Sequence, residues 1–118
     1  MNKEFIENQK KILMDEKKEI LDSLAGQSEE LRKLVENVES GDDADKASDT
    51  IDRTLLNSLS DASQRRLVMI NNALDRISQD RYGLCLLCGK EIPEARLEAI
   101  PYAALCVECQ AKEEKRNR

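Results

Sequence analysis

The first half of the chain carries its apolar residues on a helical beat. Ile6, Leu13 and Ile20 recur every seven residues, and Leu34 continues the series past Gln27. Leu24, Leu31 and Val38 form a companion series four positions on. This is a heptad seam, with Lys10, Lys17 and Gln27 as polar gaps in it. From Asn2 to about Glu39 there is no Pro, and Gly26 is the one weak point. The pattern predicts a single helix of roughly 57 Å at 1.5 Å per residue. Ser40-Gly41-Asp42-Asp43-Ala44-Asp45 then stops it. Gly41 suits the left-handed position past a helix C-terminus, and Asp42 or Asp45 suits the N-cap of the next helix. A second helix is expected from about Ala44 to Gln79, with Leu56, Leu59, Ile70, Leu74 and Ile77 as its apolar face.

The two predicted helices are nearly equal in length, and the turn lies midway. Folding the chain at Gly41-Asp42 sets Ile6 opposite Ile77, Leu13 opposite Ile70 and Leu24 opposite Leu59, each pair of numbers summing to 83. The arithmetic favours an antiparallel coiled-coil hairpin over residues 1–80, with an acidic tip at 41–48. A parallel coiled-coil dimer on the same heptads is the competing reading. Near the turn the match degrades, because Leu31 meets Asp52, so a looser tip is expected. Residues 81–110 switch to compact, turn-rich chemistry, and Ala111 to Arg118 reads as a short charged helix or a frayed end; 81–118 together form the expected finger and C-terminal helix. The expected fold is therefore mostly α: a two-helix hairpin, a small four-cysteine module and a short C-terminal helix.

Composition sharpens this picture. The chain of 118 residues is 40% hydrophobic but 3% aromatic, with one Phe, two Tyr and no Trp. Aromatic area is missing, so the core must be thin and built from Leu, Ile and Val. Phe5 and Tyr82 are expected to pack the cysteine module against the hairpin base, and Met14 and Met69 to fill gaps. Charged residues make up 36%, which suits long solvated helices.

The net charge of −5 is uneven. Residues 1–48 hold thirteen acids and eight bases (−5), residues 49–80 five and four (−1), and residues 81–118 six and seven (+1). No segment carries the basic stripe that phosphate neutralisation needs, which disfavours sequence-specific DNA binding. Lys115-Arg116-Asn117-Arg118 reads as a solvated tail balanced by Glu113 and Glu114. The N-terminal stretch has no apolar run for a signal or membrane span. That predicts a cytoplasmic protein whose thiols stay reduced.

The chemistry is concentrated in Cys85-x2-Cys88-x17-Cys106-x2-Cys109, in a chain with no histidine. The spacing falls in the window of a four-thiolate zinc site. Each Cys-x-x-Cys can aim two sulfurs at one ion, and Gly89 lets the backbone turn beneath it. Four thiolates close the tetrahedron, so the predicted Zn2+ is structural. A disulfide staple conflicts with a reducing compartment, and a redox pair lacks the βαβ context it needs. No Gly-rich phosphate loop and no Ser/His/Asp set points to an enzyme.

The residues also carry a resemblance. Tyr82-Gly83, Cys85, Cys88-Gly89, Ile92, Arg96-Leu97-Glu98-Ala99, Pro101, Leu105-Cys106 and Cys109 resemble the zinc finger of the DksA/TraR family, also called DnaK suppressor proteins. Asp42-Asp43-Ala44-Asp45-Lys46-Ala47-Ser48 is similar to that family's coiled-coil tip, Asp-x-x-Asp-x-Ala. The likeness spans about residues 5 to 112. It implies a regulator of bacterial RNA polymerase that enters the secondary channel and destabilises open promoter complexes, repressing ribosomal RNA promoters and activating others. It implies tip roles for Asp42, Asp45 and Ala47, zinc ligation by Cys85, Cys88, Cys106 and Cys109, and a polymerase contact at Arg96. Helix capping is the plainer account of Asp42 and Asp45.

The chain departs from the family in two places. Leu86 stands where many members carry a polar or acidic residue. Met69, Ile100 and Gln110 fall where members that respond to guanosine tetraphosphate, the alarmone of the stringent response, carry cations. The missing cations predict little alarmone synergy through that site, and the hairpin reading predicts a monomer. A transcript-cleavage factor using the same channel, and a zinc-stabilised coiled-coil adaptor unconnected to polymerase, are the alternative functions.

Overall fold

The N-terminal helix starts where a side chain can cap it. Asn2 Oδ1 accepts from the Glu4 N–H at 2.8 Å, which opens α1 at Lys3–Ala25. A computed structural model of the protein describes residues 2–39 and 53–116. Within them follow α2 (Glu29–Glu39), α3 (Arg53–Asn57), α4 (Asp61–Ser78), α5 (Glu94–Ala99) and α6 (Val107–Arg116). No strand occurs among the described residues; a single antiparallel bridge joins Leu84 to Glu91. The expected tip at 41–48, with Gly41, Asp42, Asp45 and Ala47, lies outside the described residues.

The antiparallel pairing of the two limbs is present. Leu13 and Ile70 are fully buried in one core cluster, with Ile6 and Ile77 packed against it. Leu24 and Leu59 meet in a second cluster. Glu16 of α1 pairs with Arg66 of α4 at 3.4 Å, close to the same register. One chain thus supplies both limbs of the seam.

Neither limb is a continuous helix, which corrects the single 57 Å rod: the longest principal extent of the molecule is 44 Å. The first limb breaks at Gly26-Gln27-Ser28. Gly26 donates to the Asp22 carbonyl at 3.1 Å and ends α1. Ser28 then caps α2, its Oγ accepting from the Leu31 N–H at 3.1 Å and its carbonyl from the Arg32 N–H at 3.0 Å. The second limb breaks at Ser58-Leu59-Ser60. Ser60 Oγ accepts from the Ser63 N–H at 3.2 Å and opens α4.

In the hairpin register the two breaks lie at nearly the same level. Beyond them α2 packs back against α1 and also meets α3, and Val35 and Leu55 bury with Leu21 and Leu24. Below them α1 and α4 pack into a stem. The buried stripe of α1 is Gln9, Leu13, Lys17, Leu21 and Leu24. Ile6 and Ile20 are half-buried beside it. On the second limb Leu55 and Leu67 are fully buried, whereas the expected Leu56 is only half-buried. Met14 and Met69, expected as gap-fillers, are exposed.

Candidate metal centre and its junction with the hairpin

Two tight turns bring the cysteines together. After α4 the chain passes Asp80 and Gly83, both at positive φ (59° and 84°), into the Leu84–Glu91 bridge. Within it the Cys85 N–H donates to the Lys90 carbonyl at 2.9 Å, and the Gly89 N–H to the Cys85 carbonyl at 3.0 Å. Gly89 stands at φ 76°, a conformation that favours glycine. The second pair straddles the start of α6: Cys106 precedes the helix and Cys109 lies in its first turn. This helix begins at Val107, earlier than the charged segment expected from Ala111.

The four sulfurs lie within 4.8 Å of one another. All four cysteines are free, so they form no disulfide staple, and among the described residues no strand frames a redox pair. Zn–S bonds of about 2.3 Å in a regular tetrahedron set sulfurs about 3.8 Å apart. Cys88 Sγ and Cys106 Sγ are separated by 3.8 Å. The donor set and its spacing fit one structural Zn2+, with no ligand position left for water or substrate.

The thiols differ in how readily they ionise. Burial pushes the Cys85 thiol up, but N–H donors of Cys106, Cys88 and Leu87 outweigh it and bring it down to about 6. Cys109 is pushed up to about 12 by the neighbouring Cys106 and Cys85 sulfurs, with burial adding to the effect. Without a cation, therefore, one thiolate forms easily and the last is resisted by its neighbours. A coordinating thiol is deprotonated outright, so holding the ion brings all four to thiolate.

The centre is joined to the stem by buried polar groups. Gln9 of α1 donates through Nε2 to Tyr82 Oη at 3.1 Å and to the Leu97 carbonyl at 2.7 Å. Tyr82 Oη in turn donates to the Pro101 carbonyl at 2.7 Å. Burial pushes the Tyr82 phenol up, so it stays a donor, although the Gln9 bond and the Arg76 charge work against that shift. Arg76 of α4, itself buried, reaches the Tyr102 carbonyl at 3.5 Å. Tyr82, Cys85, Ile92, Leu97, Ala103 and Cys109 share one core with Leu13, Ile70, Ala73 and Leu74 of the stem, and Phe5 packs against it. Phe5 and Tyr82 thus occupy the expected junction. Nothing in the sequence marks Gln9, because a lone glutamine between heptad positions carries no signal.

Arg96 lies on α5, half-buried. Its Nε donates to the Leu105 carbonyl at 3.1 Å, one residue before Cys106. The structure thus places Arg96 on the finger with the cysteines. It does not show Asp42, Asp45 or Ala47 in relation to them.

A short helical stem closed at its foot by a four-thiolate site defines a zinc-stabilised helical protein of the C4 finger class. A sequence model of the prokaryotic dksA/traR C4-type zinc finger matches residues 80–115. The RNA polymerase-binding transcription factor DksA of Caulobacter vibrioides is 37% identical over 118 residues, covering all of this chain and 82% of its own. Among solved structures, transcription factor DksA2 of Pseudomonas aeruginosa matches with a TM-score of 0.66 at 29% identity, over 100% of this chain and 89% of the other. The RNA polymerase binding protein and transcriptional regulator Dks of Chlamydia trachomatis matches with a TM-score of 0.61 at 28% identity, over 98% and 93%. The chain belongs to the DksA/TraR family.

Proposed function

We propose that the protein is a non-enzymatic, cytoplasmic, monomeric regulator of transcription. It binds bacterial RNA polymerase, sends the segment between α2 and α3 into the secondary channel and destabilises open promoter complexes. Some promoters, those for ribosomal RNA above all, are repressed and others activated. The observation that carries this reading is a stem of α1 against α4, closed by four convergent thiols, in a chain matched along its length by relatives named as polymerase-binding transcription factors. Among the described residues no helix is long and apolar enough to cross a membrane.

In this reading Asp42 and Asp45 bring carboxylates toward the catalytic magnesium, where they act on cationic groups or metal-bound water, with Ala47 completing the tip. Arg96, oriented by its bond to the Leu105 carbonyl, contacts polymerase from the finger. The alarmone adds little. Met69 is exposed and uncharged, Ile100 packs against the core, and the Gln110 amide engages Glu114 at 3.3 Å. A polyanion finds no cation at those positions.

In-vitro transcription from a stable-RNA promoter tests both statements. Asp42→Asn/Asp45→Asn should reduce repression by about tenfold, equivalent to roughly 1.4 kcal/mol, while binding to core polymerase persists. Undiminished repression would overturn the tip assignment. Added alarmone should change the wild-type effect less than about twofold, and a several-fold gain would refute alarmone independence. Shortening of RNA in backtracked complexes would replace this reading with transcript cleavage.

A further inference from the structure

The two metal-binding loops present apolar side chains that metal binding does not need. Leu86 and Leu87 fill both positions between Cys85 and Cys88, and Val107 follows Cys106. They are 63%, 59% and 61% exposed. Their loops lie side by side: the Leu86 N–H donates to the Ala104 carbonyl at 2.9 Å, and the Cys88 and Cys106 sulfurs are 3.8 Å apart. Ligation uses only sulfur, and the tight turn of the first loop uses Gly89. One exposed leucine is ordinary, but several gathered in one place mark an interaction site.

We propose that Leu86, Leu87 and Val107 form an apolar docking contact for RNA polymerase, an inference that rests on the function proposed above. Three side chains of this size, about three-fifths exposed, offer on the order of 300 Å2, against roughly 800 Å2 per partner in a standard stable interface. The patch is therefore too small to hold a second copy of this chain by itself. As one part of a wider interface its apolar make-up suits a contact centre, and the residues that flank it in the sequence include charges of both signs, Lys90 and Glu108. These mixed charges also give no preference for a phosphate backbone or an anionic membrane. Polymerase is the partner whose interface extends past the patch, because the hairpin engages it too. The finger thereby sets affinity, while the tip sets the effect.

The test uses the full zinc-loaded chain with core RNA polymerase, comparing wild type with Leu86→Ser/Leu87→Ser and, on the other loop, Val107→Ser. Zinc content and thermal midpoint are measured alongside. The double variant should bind polymerase at least about tenfold more weakly, and Val107→Ser several-fold more weakly, both with one zinc per chain. At saturating protein both should reach the wild-type plateau of repression. Unchanged affinity in zinc-loaded variants overturns the docking contact while leaving the proposed function standing. A wild-type dimer that the double variant dissociates, with polymerase affinity unchanged, assigns the patch to a second copy instead. If the wild type does not bind polymerase, the proposed function fails and this contact fails with it.

Discussion

Gln9 and Lys17 occupy the same buried stripe of α1, and their chemistry separates them. The Gln9 amide gives both of its resolved bonds to acceptors on the finger, so its burial is compensated and ties two parts of the chain together. Lys17 is 7% exposed, and burial lowers its pKa from the ordinary lysine value, with the Asp75 carboxylate only partly offsetting this. A buried base with a lowered folded pKa holds its proton less tightly in the folded chain than in the unfolded one. The penalty is fully present at neutral pH and disappears as pH rises through the folded value toward 10.5. Lys17→Met keeps the length and removes the charge, so it should stabilise the protein by about 1 kcal/mol at pH 7. That gain should shrink near pH 10.5. Denaturant unfolding at the two pH values measures it. Reading the heptads alone leaves Lys17 as a gap and passes over Gln9, because a residue's type does not reveal which acceptors the fold brings to it.

At the scale of elements, each limb is interrupted at a serine. Ser28 and Ser60 both accept from the N–H three residues on, and each precedes an acidic residue at the first helical position. These are local start signals. The seven-residue count skips Gln27 and Ser63 but resumes in phase at Leu34 and Ile70, which is why a continuous helix is the natural expectation from periodicity. Gly26 marks the first break but does not depend on glycine for it. Its φ of −75° and ψ of −11° are helical, and an added Cβ would meet only the Ser23 and Asp22 carbonyl oxygens, at 3.6 and 3.7 Å. Gly26→Ala should therefore raise stability by about 0.5–1 kcal/mol, chiefly by restricting the unfolded chain. A thermal midpoint higher by a few degrees is the expected outcome, and a fall would show that the break needs glycine after all. The finger's helices show the converse: α6 starts at Val107, directly after Cys106, and carries Cys109 in its first turn, an anchoring that charge pattern alone does not display.

For the whole molecule, the metal centre and the stem are one core. Cys85 and Cys109 bury with Leu13 and Ile70, so losing the ion opens the foot of the hairpin as well as the finger. The cluster around Leu24 and Leu55 contains no cysteine and is less exposed to that loss. Chelation under reducing conditions should release one zinc per chain and cost several kcal/mol, less than the roughly 10–16 kcal/mol apparent in isolated finger peptides because the stem retains its own contacts. Zinc release monitored beside circular dichroism would show a large drop in thermal midpoint with only partial loss of helix. A midpoint indifferent to chelator would mean that the stem does not rest on the metal centre.

What the sequence determined by itself is what depends on a few atoms at fixed spacing. Four thiols in two Cys-x-x-Cys pairs name their ion, and apolar positions summing to 83 name the partner across the hairpin, because ligation and helical period are local and discrete. Tertiary structure decided the rest: which polar side chains of α1 are buried, that both limbs break at one level, and that finger and stem share a core. Those outcomes come from many weak contacts between segments far apart in the chain. No single residue carries enough of that sum to announce it in advance.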